Sequence, residues 1–274
     1  MFSGDPAARL RLVSALAMMP LALGLVILGA WPFACLVALA VVLMAIEWRR
    51  LTLARFDGLG GTLAGWSACA LGLIVAALTA SGRPLEAVAV LCAGALAAGA
   101  LAWHQRVPVL WIGLGAAYLA TPGLALIWLR GLPQIGLQVV IWLLAVVWAT
   151  DIVAYLVGRA VGGPRLAPHI SPGKTWSGLC GGVVAAALAG GVTAGVTGSE
   201  RLLHAAGLGG LLAIVAQIGD LIESALKRRA GVKDSGSLIP GHGGVLDRLD
   251  GLMLAAPVLA LLALALGPEV LPWP

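Results

Sequence analysis

The chain has 274 residues, of which 61% are hydrophobic and 11% charged, with a mean hydropathy of +1.02 and a formal net charge of +5. An ordinary soluble domain carries about 25% charged residues. Composition therefore excludes a soluble globular enzyme and points to an all-α, polytopic integral membrane protein, because lipid covers apolar surface and helices satisfy their own backbone groups there.

A helix needs about 20 apolar residues to cross the hydrocarbon core. That ruler predicts about nine transmembrane helices, at roughly 10–30, 31–47, 61–80, 84–103, 107–129, 136–158, 177–198, 204–226 and 251–270. Arg9 and Arg11 before the first run resemble a signal peptide, but the many later spans favour a retained helix. Glycine and alanine recur within the spans, as at Gly94, Gly99, Gly181 and Gly182, and allow helices to approach closely. Pro20, Pro122 and Pro257 fall inside apolar runs, where a missing N–H favours a kink. Cys35, Cys69, Cys92 and Cys180 lie far apart in apolar stretches and read as small buried residues. The chain is expected to divide into N-terminal transmembrane helices, 1–135, and a C-terminal transmembrane region, 136–274, that holds the two longest polar loops.

Positive charge orients the bundle. With the N-terminus cytoplasmic, one side holds Arg9, Arg11, Arg49, Arg50, Arg55, Arg106, Arg159, Arg165, Lys174, Lys227, Arg228, Arg229, Lys233 and Arg248. The other side holds only Arg83, Arg130 and Arg201. This bias follows the positive-inside rule. It makes the loops Arg159–Trp176 and Lys227–Asp250 cytoplasmic. The high pI, about 9.4, then reflects topology and attraction to anionic membrane lipids. The basic residues are divided among several loops, so no nucleic-acid partner is expected.

Acidic residues are few, so their places are informative. Asp5, Glu47, Asp57, Glu86, Glu200 and Glu269 sit at span ends or in loops and read as solvated charge. Asp151, Asp220 and Glu223 fall within or at the end of predicted spans, where ionisable groups are expensive and mark function. Gln217, Asp220, Glu223, Ser224 and Lys227 share one helical face by their spacing. For Glu223 a purely structural ion pair is an even alternative.

The segment Ser224–Gly251 joins a basic cluster, a glycine-rich turn and two aspartates three residues apart. Asp247 and Asp250 are expected on one face of the helix entering the last span. Carboxylates suit Mg²⁺, which prefers oxygen ligands and also takes substrate phosphates. Lysine and arginine suit phosphate oxygens, and Gly241, Gly243 and Gly244 let backbone N–H groups reach an anion. The loop Gly158–Gly178, with Arg159, Arg165, His169, Ser171, Lys174, Thr175 and Ser177, reads as a second phosphate-contacting wall. His169 and His242 lack ligand-spaced partners, so zinc is not expected. His242 reads as a hydrogen-bond donor or a structural histidine.

These residues resemble the phosphatidate cytidylyltransferase family, the CDP-diacylglycerol synthases. The resemblance rests on Ser224, Lys227, Arg228, Lys233, Asp234, Pro240, Gly241, His242, Gly243, Gly244, Asp247, Arg248 and Asp250, and on the upstream Gln217–Asp220. The loop around Lys174, Thr175 and Trp176 is also similar, with Gly173 where the family has lysine and Ser177 where it has glutamate. The resemblance implies that CTP and phosphatidate give CDP-diacylglycerol and pyrophosphate, dependent on Mg²⁺. It also implies a homodimer in the cytoplasmic (inner) membrane of a prokaryote.

On that reading Asp220 and Asp247 are metal ligands, with Asp250 and Asp151 as further members or ligands of a second ion. Lys227, Arg228, Lys233 and Arg248 neutralise phosphates. Ser171, Lys174 and Thr175 hold lipid phosphate or pyrophosphate, while Ser224, His242, Gly243 and Gly244 line the substrate. Asp220, Asp247, Lys227 and Arg248 form the expected catalytic set. The alternatives are a CTP-dependent enzyme acting on another lipid, such as a polyprenol kinase or an archaeal lipid cytidylyltransferase, and an ion-coupled transporter using Asp151, Asp220 and Glu223.

Overall fold

The computed structural model describes residues 19–53, 59–104, 109–236, 238 and 243–273. Arg9, Arg11, Arg55, Asp57, Arg106 and His242 lie outside the described residues. The helices, in chain order, are α1 Met19–Leu28, α2 Ala30–Leu53, α3 Leu59–Ala80, α4 Pro84–His104, α5 Val109–Arg130, α6 Gly136–Val161, α7 Trp176–Val196, α8 Leu202–Arg229, the short α9 Leu246–Leu249, and α10 Leu252–Leu266. Among the described residues, α2, α4, α5, α6, α7 and α8 are long and apolar enough to cross a membrane. The protein is an all-α, multi-pass membrane protein.

The helix ends follow local chemistry. Pro84 occupies the first position of α4, where no N–H is needed. Thr175 caps α7 by accepting from the Gly178 N–H at 3.1 Å. Lys227, Arg228 and Arg229 fill the last turn of α8, where cations meet the negative end of the helix dipole. Pro122 and Pro257 lie inside α5 and α10, as their places in apolar runs imply.

The chain forms two compact units. The first comprises Met1–Gly131 and Ala230–Leu249, and the second Leu132–Arg229 and Asp250–Pro274. The first break lies close to the predicted boundary at 135. The segment Ala230–Leu249 nevertheless groups with the N-terminal helices. In the first unit α2 packs on α3 and α5. Val41, Met44, Trp48, Val75 and Leu119 are buried there, and the Trp48 and Tyr118 rings lie 5.6 Å apart.

In the second unit α7 packs between α6 and α8, and α10 lies along α8. Trp142 is fully buried and donates from Nε1 to the Gly190 carbonyl at 3.0 Å. Trp273 meets it edge-on, with centroids 6.5 Å apart. One face of α7 exposes Val184, Leu188, Val192 and Val196, an apolar stripe suited to lipid.

Three expectations are corrected. Only Cys69 is buried; Cys35, Cys92 and Cys180 are exposed, as apolar helix surfaces in lipid permit, and all four thiols are free. The loop at Gly158–Gly178 contains a small antiparallel hairpin, β1 Arg165–Ala167 with β2 Ser171–Thr175, pairing Arg165 with Thr175 and Ala167 with Ser171. The helix expected to carry both Asp247 and Asp250 into the last span is interrupted. Asp247 lies in α9 and Asp250 in the turn before α10. There Asp250 Oδ1 accepts the Gly251 N–H at 2.8 Å, a local bond that competes with helix continuation.

Candidate active site

The polar stripe of α8 is built as its spacing dictates. Its apolar face exposes Leu211, Ile214, Ile218 and Ile222, while Gln217, Glu223 and Ser224 are buried. Asp220, Glu223 and Asp250 each offer a carboxylate oxygen, and these oxygens all lie within 4.8 Å of one another. Asp220 and Glu223 meet because they are three residues apart on one helix. Asp250 joins them because α8 has glycine at 219. A Cβ there would stand 2.7 Å from the Asp250 carbonyl and 3.2 Å from Leu254 Cβ. Without that glycine the turn before α10 could not press onto α8 beside Asp220.

Two lysines neutralise this cluster. Lys174, on β2, forms an ion pair with Asp220 and donates to Gln217 Oε1 at 3.1 Å. Lys227 pairs with the fully buried Glu223 at 2.6 Å. Gln217 Nε2 reaches Asp151 Oδ1 at 3.4 Å, and Ser224 donates to Asp220 Oδ1 at 3.3 Å. A polar chain thus runs from Asp151 through Gln217, Lys174 and Asp220 to Ser224. Desolvation, followed by the negative charges of Asp220 and Asp151, pushes the Asp250 carboxyl up to about 7 from its ordinary 3.8. Crowded carboxylates of this kind favour an added cation, and an all-oxygen set suits Mg²⁺. The residues present therefore fit a divalent ion.

The hairpin borders the same unit's polar stripe. Arg228 Nε donates to the Ile170 carbonyl at 3.1 Å. Thr175 is buried, bonded to Ser177 Oγ at 3.0 Å as well as capping α7. The Ser177 hydroxyl donates to the Gly162 carbonyl, tying the first turn of α7 to the end of α6. Gly173 stands in open space, where an added Cβ would meet no atom within 4 Å. Ser171 lies at the start of β2, and His169 is exposed in the turn before it.

The first unit holds the remaining residues of the motif. Asp247 accepts from the Ser235 N–H, at 3.1 Å on Oδ1 and 3.0 Å on Oδ2, and from the Gly244 N–H at 2.8 Å on Oδ2. Gly243 has φ +81°, a left-handed conformation that glycine adopts without strain. Lys233, Asp234 and Arg248 are exposed. The two carboxylates expected as a metal pair, Asp220 and Asp247, thus belong to different units; Asp220 is grouped with Glu223 and Asp250.

A profile of the Cytidylyltransferase family matches residues 9–266. This chain belongs to the Cytidylyltransferase family. Among its relatives, a protein of Brucella abortus named phosphatidate cytidylyltransferase is 50% identical over 162 residues, covering 59% of this chain and 60% of the relative. The matched part is thus less than two thirds of that relative's length. A Pseudomonas aeruginosa protein of the same name is 36% identical over 277 residues, covering 94% of this chain and 97% of the relative. One from Bacillus subtilis is 39% identical over 150 residues, covering 54% and 56%.

One residue overturns its sequence reading. Glu47, read as solvated charge, is fully buried in the first unit. Its Oε1 accepts the Val245 N–H at 2.9 Å, and its Oε2 accepts the Leu246 N–H at 2.9 Å and the Ser235 hydroxyl at 3.1 Å. Its neighbours Trp48, Arg49 and Arg50 resemble an ordinary helix end at a membrane surface, so no local signal separates it from a solvated residue.

Proposed function

We propose that this protein is a phosphatidate cytidylyltransferase, transferring CMP from CTP to phosphatidate to give CDP-diacylglycerol and pyrophosphate. The observation that carries this reading is the Asp220–Glu223–Asp250 carboxylate cluster with Lys174 and Lys227 ion-paired to it, in a chain of the Cytidylyltransferase family. A phosphate oxygen of phosphatidate attacks the α-phosphorus of CTP. The new P–O bond forms as the bond to the β-phosphate oxygen breaks, and pyrophosphate leaves. The second pKa of a phosphomonoester is about 6, so the nucleophile is largely ionised at neutral pH and needs no strong base.

The protein's part is to hold two polyanions together and neutralise them. We assign metal ligation to Asp220, Glu223 and Asp250, with Asp247 and Asp151 as further carboxylate ligands. When bound, Mg²⁺, as one ion or two, supplies charge neutralisation at the phosphates. Lys227, Arg228, Lys233 and Arg248 meet phosphate oxygens, and the backbone of Gly243 and Gly244 lines the nucleotide with Ser224 and His242. Lys174 both neutralises Asp220 and stands ready for a phosphate, with Ser171 and Thr175 beside it on β2.

The positive-charge bias supports a cytoplasmic N-terminus and an active site facing the cytoplasm, where CTP is available. Six long helices, together with the shorter apolar helices α1, α10 and Trp66–Ala80 within α3, support nine spans. The bacterial organisms of the relatives support a prokaryotic source, and we propose a homodimer in its inner membrane, with 136–274 as the catalytic region. An acceptor lipid other than phosphatidate is the second reading, since the metal and phosphate groups are common to both.

The deciding experiment incubates purified protein with CTP, phosphatidate and Mg²⁺ and measures pyrophosphate and CDP-lipid. Equimolar release of both is expected. A folded sample that forms neither product would sink the proposal, and product only with another acceptor lipid would select the second reading.

A further inference from the structure

The buried Glu47 has no place in the chemistry above, yet its carboxylate accepts three hydrogen bonds within the first unit. It comes from α2, and its three donors lie on the segment that carries Asp247. Two of them are the backbone N–H groups of Val245 and Leu246, immediately before Asp247. The third is the hydroxyl of Ser235, whose own N–H donates to Asp247. Glu47 and Asp247 therefore both tie Ser235 to the 244–247 turn.

Glycine makes this approach possible. A Cβ at Gly244 would stand 2.6 Å from Glu47 Oε2 and collide with Ser235 Oγ. A Cβ at Gly236 would stand 2.9 Å from Glu47 Oε1. Gly236 and Gly244 thus make room for a buried protein carboxyl group, whatever Gly244 also offers to a ligand. The first N–H groups of a short helix such as α9 have no intrahelical partner. Glu47 satisfies the one at Leu246, as well as that at Val245 just before the helix, in a place closed to water.

We propose that Glu47 is a positioning residue of the active site, a carboxyl group brought from α2 to fix Ser235 against the 244–247 turn and, through them, the direction of the Asp247 carboxylate. This deepens the functional reading above and rests on it for the role of Asp247. The geometric half stands on the hydrogen bonds alone.

The test uses the full chain in lipid nanodiscs, with Glu47→Gln, Glu47→Leu, Ser235→Ala and Gly244→Ala. Amide hydrogen exchange is followed over 235–247 and over α6–α8, and turnover is measured with CTP, phosphatidate and Mg²⁺. Leaving buried N–H groups unpaired makes local opening easier, so exchange at Val245 and Leu246 is expected to rise by about tenfold or more in Glu47→Leu. Glu47→Gln, which keeps one acceptor oxygen, falls between it and the unmutated protein. Exchange in α6–α8 stays unchanged. In the same order kcat falls, by about tenfold in Glu47→Leu, while KM for phosphatidate stays within about twofold.

Unchanged exchange over 235–247, or an equal rise throughout the chain, would overturn the positioning role. So would unchanged kcat in a variant whose turn has opened. If Glu47→Leu does not fold, Ser235→Ala and Gly244→Ala decide by the same local exchange pattern. If the unmutated protein has no cytidylyltransferase activity, the functional reading fails while exchange still decides the geometric claim.

Discussion

At the residue scale, the chemistry of this protein is a problem of charge held in a small space. Asp220 is paired with Lys174 and bonded to Ser224. Asp220→Asn keeps the shape but removes a charge from the proposed metal and phosphate site. Turnover is expected to fall by about a thousandfold, the scale of losing an electrostatic group from such a site. Membrane insertion and thermal stability in detergent should change little. Near-normal turnover would remove Asp220 from the metal set.

Asp250 gives a pH dependence. Its carboxyl in the folded protein titrates near 7 against an ordinary 3.8, so the folded state holds the proton more tightly than the unfolded chain. Between those values stability therefore falls as pH rises. The metal-free protein is expected to lose thermal stability from about pH 4 to pH 7 through this group, and added Mg²⁺ to restore it at and above pH 7. Unfolding temperatures measured across that range, with and without Mg²⁺, check both parts. A rise in metal-free stability towards pH 7 attributable to Asp250 would contradict it, with Asp250→Asn as the control.

At the element scale, the hairpin and the α7 cap carry more of the structure than the loop sequence implies. Thr175 has the local environment of a helix cap, so its removal should act on stability first. Thr175→Ala is expected to cost about 1 kcal/mol, the usual loss of an N-cap, and Thr175→Ser to cost much less. If Thr175 also holds substrate, Thr175→Ser retains KM while Thr175→Ala raises it. Equal KM in both confines Thr175 to the cap. Ser177, where related sequences were expected to carry glutamate, bonds the Gly162 carbonyl. A short hydroxyl there joins the first turn of α7 to the end of α6, and nothing in the contacts calls for a charge.

At the scale of the whole molecule, orientation is the property with the widest consequence. Gly173 and Glu200 lie before and after α7, both exposed. In a protein freed of Cys35, Cys69, Cys92 and Cys180, a membrane-impermeant maleimide should reach Gly173→Cys only from the cytoplasmic side. It should reach Glu200→Cys only from the opposite side. Labelling of both from one side would refute the crossing by α7 and with it the proposed orientation.

Hydropathy is a local property, so the sequence by itself determined the membrane class, the helices and the residue types suited to phosphate and metal. The rest depended on contacts between distant parts of the chain. Asp250 reaches Asp220 and Glu223 only because Gly219 lets the turn before α10 onto α8. Helical spacing sets Glu223 beside Asp220, and that same packing brings Asp250 to the pair. Glu47 lies 199 residues from Leu246, and no window of sequence contains both. Burial of a carboxyl group is set by what closes over it, and only the tertiary structure decided that.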